Sequence, residues 1–97
     1  MILKYKARFE RAFRRLSAHE PRRAIETVGQ VDQFFSTRRS PEGLGLTKLF
    51  HSDSLGAVCE ARVTLALRVL FSVQQGALTF HMVGDHNEVR RFIRSFH

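Results

Sequence analysis

The chain has 97 residues, of which 43% are hydrophobic and nine are Phe, enough for one domain (1–97) with a real core and too few for two. Sixteen Lys and Arg oppose nine Asp and Glu, a net charge of +7, and this balance points to a polyanion or an acidic protein as partner. The single cysteine excludes an intrachain disulfide, no run approaches the ~20 apolar residues of a membrane span, and the N-terminus lacks a signal-peptide core, so the expected location is the cytoplasm.

From the N-terminus, Leu3, Tyr5 and Ala7 alternate with Lys4 and Lys6, the signature of a short strand. Phe9, Ala12, Phe13 and Leu16 then fall on one helix face, with Arg8, Arg11, Arg14 and Arg15 elsewhere on that helix. Ser17 to Pro21 breaks the pattern, and Pro21 suits the first turn of a second helix, whose face is Ala24, Val28, Val31 and Phe35. Residues 1–48 hold eleven of the basic residues and five of the acids, so these helices supply most of the positive field. Ser36 to Gly56 reads as a loop, punctuated by Ser40-Pro41-Glu42-Gly43 and Gly45, with a short ordered insert at Leu46 to Phe50.

Ala57 to His86 holds three β-type runs, and alternation divides each into two faces. Cys59, Ala61 and Val63, then Val69, Phe71 and Val73, then Leu78, Phe80 and Met82 make one apolar face. Glu60, Arg62 and Thr64, then Arg68, Leu70 and Ser72, then Thr79 and His81 make a more polar one. Asp85 followed three residues later by Glu88 begins a last helix with Val89, Phe92, Ile93 and Phe96 on one side and Arg90, Arg91 and Arg94 on the other. The expected architecture is α+β: an antiparallel sheet, an N-terminal helical hairpin over its apolar face, and a short C-terminal helix.

The stretch from Glu60 to Phe71, with its Arg-Val and Leu-Arg-Val-Leu-Phe runs, and Val83-Gly84-Asp85-His86-Asn87-Glu88-Val89 after it, resemble the RelE/ParE toxin superfamily. The order of elements is also similar to that fold. The resemblance implies the toxin of a toxin–antitoxin system: a metal-independent mRNA endoribonuclease acting on the ribosome or, in the ParE branch, a gyrase inhibitor. It implies an acidic antitoxin in a hetero-oligomer. Two positions depart from the family pattern, Asn87 where Asp is usual and Arg90 where Tyr is usual, and both favour a non-catalytic ParE-like or antitoxin-binding member over a nuclease.

RNA cleavage by its own 2′-OH needs a base, an acid and fixed cations, and no cofactor or metal. Arg62 and Arg68 suit the phosphate clamp, because guanidinium binds phosphate oxygens as a fork. His86 is the best proton carrier, since histidine titrates near neutrality. These three form the expected catalytic group. Lys48, carried over from basic residues in the family's loop, and His81 and Arg90 form the expected RNA-binding group. The His and Cys residues show no metal-ligand spacing, so no metal site is expected.

Overall fold

A computed structural model describes residues 1–39 and 43–95. Strand β1 (Ile2–Tyr5) leads into helices α1 (Ala7–Arg14) and α2 (Glu20–Thr37). Strands β2 (Thr47–Ser52), β3 (Gly56–Arg62), β4 (Leu67–Gln74) and β5 (Ala77–Asp85) follow, and helix α3 (His86–Arg94) comes last. The five strands form one sheet in the order β1-β5-β4-β3-β2. The Ser40-Pro41-Glu42 part of the predicted loop, and Phe96 of the last helix face, lie outside the described residues.

The α+β class and the order of elements are as expected, and three details differ. The sheet is mixed: β2 to β5 are antiparallel, but β1 adds parallel to β5, from Ile2 opposite Ala77 to Tyr5 opposite Phe80. A parallel neighbour needs a long crossover, and the whole chain between β1 and β5 supplies it. The ordered insert is an edge strand, extended to Ser52 by pairing with β3. The third difference is a bulge in β5. Leu70 pairs with Met82 while Phe71 pairs with Phe80, so His81 is the extra residue. Past this point the alternation reverses, which moves Met82 off the apolar face where the sequence pattern puts it.

The hairpin of α1 and α2 covers one face of the sheet as predicted. Phe9, Val28 and Val31 pack there on Cys59, Ala61, Val69, Phe71, Leu78 and Phe80. The Phe80 ring lies 5.6 to 5.8 Å from the rings of Tyr5, Phe9 and Phe71. The other face is not open along its length. Its middle is apolar, and Val58, Leu70 and Met82 are roofed by Val89 of α3, with Phe92 and Ile93 beside it.

Two hairpin turns follow different chemistry. The β4–β5 turn places Gln75 and Gly76 both at positive φ, 50° and 77°, the backbone of a tight two-residue turn. The β3–β4 turn contains no Gly, Asn or Asp. Here the Thr64 hydroxyl accepts from the N–H groups of Ala66 and Leu67 at 3.3 and 3.1 Å, and the side chain does what a turn residue would do.

Candidate nucleic-acid interface at the Arg68 end of the sheet

Pairing brings Arg62 of β3 directly opposite Arg68 of β4, and Arg68 opposite Gly84 of β5. Directly opposed residues share a face, and two like charges so placed repel. The two side chains separate. Arg68 folds back on the β3–β4 turn, and its Nη1 donates to the carbonyl oxygens of Thr64, Leu65 and Leu67 at 2.9, 3.2 and 3.1 Å. Those bonds satisfy one nitrogen only. Among the described residues Nε and Nη2 donate to nothing, so the guanidinium is fixed in place with one edge of its fork available.

Arg62 is exposed and runs across Gly45: a Cβ built there would lie 3.3 Å from Arg62 Cβ and 3.6 Å from its Nε. Its backbone is anchored on both sides, the N–H to the Leu44 carbonyl at 2.8 Å and the carbonyl to the Thr27 hydroxyl at 3.2 Å. Close by, Arg62 and Val63 line a cleft of about 300 Å³ with Arg23, Glu26 and Gln30 of α2.

His86 opens α3 one residue after Asp85, which pairs with Leu67 at the same end of the sheet. The helix starts there because of a capping box. Asp85 Oδ1 accepts from the Glu88 N–H at 2.8 Å, and Glu88 Oε1 accepts from the Asp85 N–H at 3.0 Å. His86 is exposed, and Arg90, also exposed, stands one turn further along the same helix face. Arg62, Arg68, His86 and Arg90 therefore gather at one end of the sheet, on two strands and the start of α3.

The other two predicted contacts do not join them. Lys48 pairs with Cys59, whose side chain is in the core under the helical hairpin, so Lys48 belongs to the opposite face. The Cys59 thiol titrates above its usual range because it is buried, and Lys48 pulls it partly back. The sequence pattern puts His81 on the polar surface as an RNA contact, and the structure does not. His81 is 3% exposed, and its Nε2 lies 2.8 Å from the Ser72 hydroxyl, itself 3% exposed. Burial, with the Lys6 charge adding to it, lowers its pKa to about 4. A buried neutral imidazole cannot stack on a base. His81 keeps the face that the pattern gives it, beside Ser72, but α3 covers that face and brings the Phe92 ring to 6.4 Å from the imidazole.

Sequence reasoning missed the Ser72–His81 pair. The signal was present in Phe80-His81-Met82-Val83, where apolar residues at both 82 and 83 interrupt strict alternation. It also missed Arg8, whose guanidinium carbon sits 5.0 Å from the centre of the Phe92 ring and ties α1 to α3. Among the described residues no Lys or Arg side chain is in an ion pair, so the positive charge is not neutralised internally.

No protein-family model matches the chain, and no curated protein matches it by sequence. Solved structures do match in fold. RelE in the archaeal RelE–RelB complex from Pyrococcus horikoshii OT3 superposes with a TM-score of 0.66 at 20% identity, over 87% of this chain and 92% of that one. YafQ in the Escherichia coli DinJ–YafQ complex gives 0.64 at 15% identity, over 90% and 94%. The YoeB/ParE toxin from Agrobacterium tumefaciens gives 0.64 at 14% identity, over 89% and 99%.

Proposed function

We propose that this chain, whose fold is that of the RelE, YafQ and YoeB/ParE structures, is the toxin of a toxin–antitoxin pair and acts in the cytoplasm as a metal-independent endoribonuclease on mRNA engaged with the ribosome. The observation that carries this reading is the Arg68 guanidinium, held by three turn carbonyls with Nε and Nη2 left to bind phosphate, in register with the start of the His86 helix.

In the proposed reaction the 2′-oxygen of one nucleotide attacks the adjacent phosphorus, its proton leaves, and the bond to the 5′-oxygen of the next nucleotide breaks. The products are a 2′,3′-cyclic phosphate and a 5′-hydroxyl. Arg68 stabilises the charge that builds on the phosphate oxygens, and Arg62 adds a second cation from the neighbouring strand. His86 moves a proton at the 2′-oxygen or the leaving oxygen. Arg90 serves RNA binding through its planar fork, not proton transfer. Lys48 is at most a contact to RNA that wraps past the sheet edge. An acidic antitoxin, disordered when free, would neutralise the exposed cations in the complex.

The departures at Asn87 and Arg90 favour a second reading, a toxin that binds gyrase or its antitoxin without cutting RNA. Expressing the chain alone while following mRNA integrity and DNA supercoiling separates the two. The nuclease reading expects growth arrest with fragmented mRNA and unchanged supercoiling; intact mRNA with altered supercoiling selects the other.

A further inference from the structure

The α3 side of the sheet has a second basic place, at the end remote from Arg68. Lys4 of β1 pairs with Thr79 of β5, and Thr79 pairs with Ser72 of β4, so three polar side chains stand in one row across three strands. A cleft of about 440 Å³ lies over this row, and Lys6, Gln74 and Gln75 line it together with Lys4, Thr79 and Ser72. Lys4 and Lys6 are exposed, two residues apart, and among the described residues neither ammonium is in an ion pair. Lysine offers three donors and no acceptor, so the cleft combines uncompensated positive charge with hydroxyl and amide groups.

The Ser72–His81 pair lies beneath it. Burial and the nearby Lys6 keep the imidazole neutral at physiological pH. The hydrogen bond between His81 Nε2 and Ser72 Oγ, 2.8 Å long, fixes the position of a serine oxygen that lines the cleft. His81 is a positioning residue, which holds Ser72 Oγ in the floor of the cleft.

We propose that this cleft is a phosphate-binding subsite for the backbone of single-stranded RNA, in which Lys4 and Lys6 neutralise phosphate and the Thr79 and Ser72 hydroxyls complete the contact. The inference rests on the RNA reading given above, and it concerns a place that reading does not use. Ser72 lies four residues from Arg68 along β4, ~13 Å at strand rise, so one strand reaches both ends only by spanning more than one nucleotide. Arg91 and Arg94, also exposed, follow Arg90 along α3. Contacts of this kind hold register and carry no base sequence.

The test is fluorescence anisotropy of the full chain with unstructured RNAs of about 12 nucleotides, in two unrelated sequences, over a salt series. Arg68→Ala, the double variant Lys4→Gln/Lys6→Gln and the double variant Lys4→Arg/Lys6→Arg are compared with wild type. Both lysines are exposed, so their replacement opens no cavity, and circular dichroism checks the fold. The glutamine variant is expected to bind both RNAs about tenfold more weakly and to lower the log–log salt slope by ~1.4, the share of two phosphate contacts on a single strand. The arginine variant is expected to keep the wild-type slope. Unchanged affinity and slope in the glutamine variant, with wild type binding RNA and Arg68→Ala weakened, overturn the subsite alone. Failure of wild type to bind either RNA overturns the RNA reading and the subsite with it. Loss of affinity for an acidic peptide but not for RNA assigns the cleft to a protein partner and also overturns the proposal.

Discussion

On the hairpin side of the sheet, Val69, Phe71, Leu78 and Phe80 are fully buried beneath α1 and α2 and form one continuous apolar layer. On the α3 side, the buried apolar ground shrinks to Val58, Leu70, Met82 and Val89, with cations and hydroxyls at both ends. The first face has the area to hold the fold. The second has a core just large enough to seat one short helix. That helix divides the face into the Arg62–Arg68–His86 end and the Lys4–Lys6 end, so the chemistry-bearing groups occupy ground that packing does not claim.

Breaking the hairpin face is expected to cost most. Phe80→Ala removes a ring with no exposure that touches three other aromatic rings, and a loss of about 3–5 kcal/mol is expected in urea unfolding. That is much of the 5–15 kcal/mol typical of a whole domain. Breaking the α3 face at Val89→Ala deletes two buried methyl groups, about 1.6 kcal/mol, and hydrogen exchange is expected to rise in α3 well before it rises in β4. Equal exchange in both would mean that α3 and the sheet unfold as one unit. Asp85→Ala removes the cap, about 1 kcal/mol, and is expected to fray the turn that carries His86. RNA cleavage should then fall further than the loss of folded protein explains.

Near pH 6 the smallest effect is the tilt in stability that His81 imposes. Its pKa is lowered from 6.5 to about 4 by burial, so the unfolded chain takes up this proton at a higher pH than the folded one. The stabilisation is complete above about 6.5 and is lost as pH falls toward about 4. Urea midpoints for wild type and His81→Gln across that interval should converge as pH falls; parallel curves would contradict the assignment.

Local signals in the sequence were enough for much of this. The capping box at Asp85 and Glu88 is visible as a spacing, and the structure forms both of its hydrogen bonds. The apolar stripes of α1 and α2, and the apolar face of β3 and β4, follow from period alone. What could not be read depends on partners distant in the chain. The parallel docking of β1 on β5 is a choice among sheet edges, and nothing in Ile2–Tyr5 encodes it. The bulge at His81 is visible only when Leu70 and Phe71 are paired with Met82 and Phe80, and the burial of His81 comes from α3 packing over its face, which no local pattern shows. No pattern in the residues around Lys48 gives its face, which its pairing with Cys59 reveals. At the Arg68 end, alternation and register agree, and Arg62 and Arg68 meet as the pattern requires.

The central claim is that the Arg68 end of the sheet cuts RNA. The most direct measurement is the single-turnover cleavage rate of ribosome-bound mRNA by the purified chain and its Arg68→Ala variant, with the new termini identified chemically. Arg68 is half-buried and bonds only to its own turn, so the variant is expected to fold. Wild type is expected to leave 2′,3′-cyclic phosphate and 5′-hydroxyl ends, and Arg68→Ala to cut about a hundredfold more slowly, the loss of one transition-state donor. A folded Arg68→Ala that cuts at the wild-type rate, or a wild type that leaves the mRNA intact, would contradict the claim.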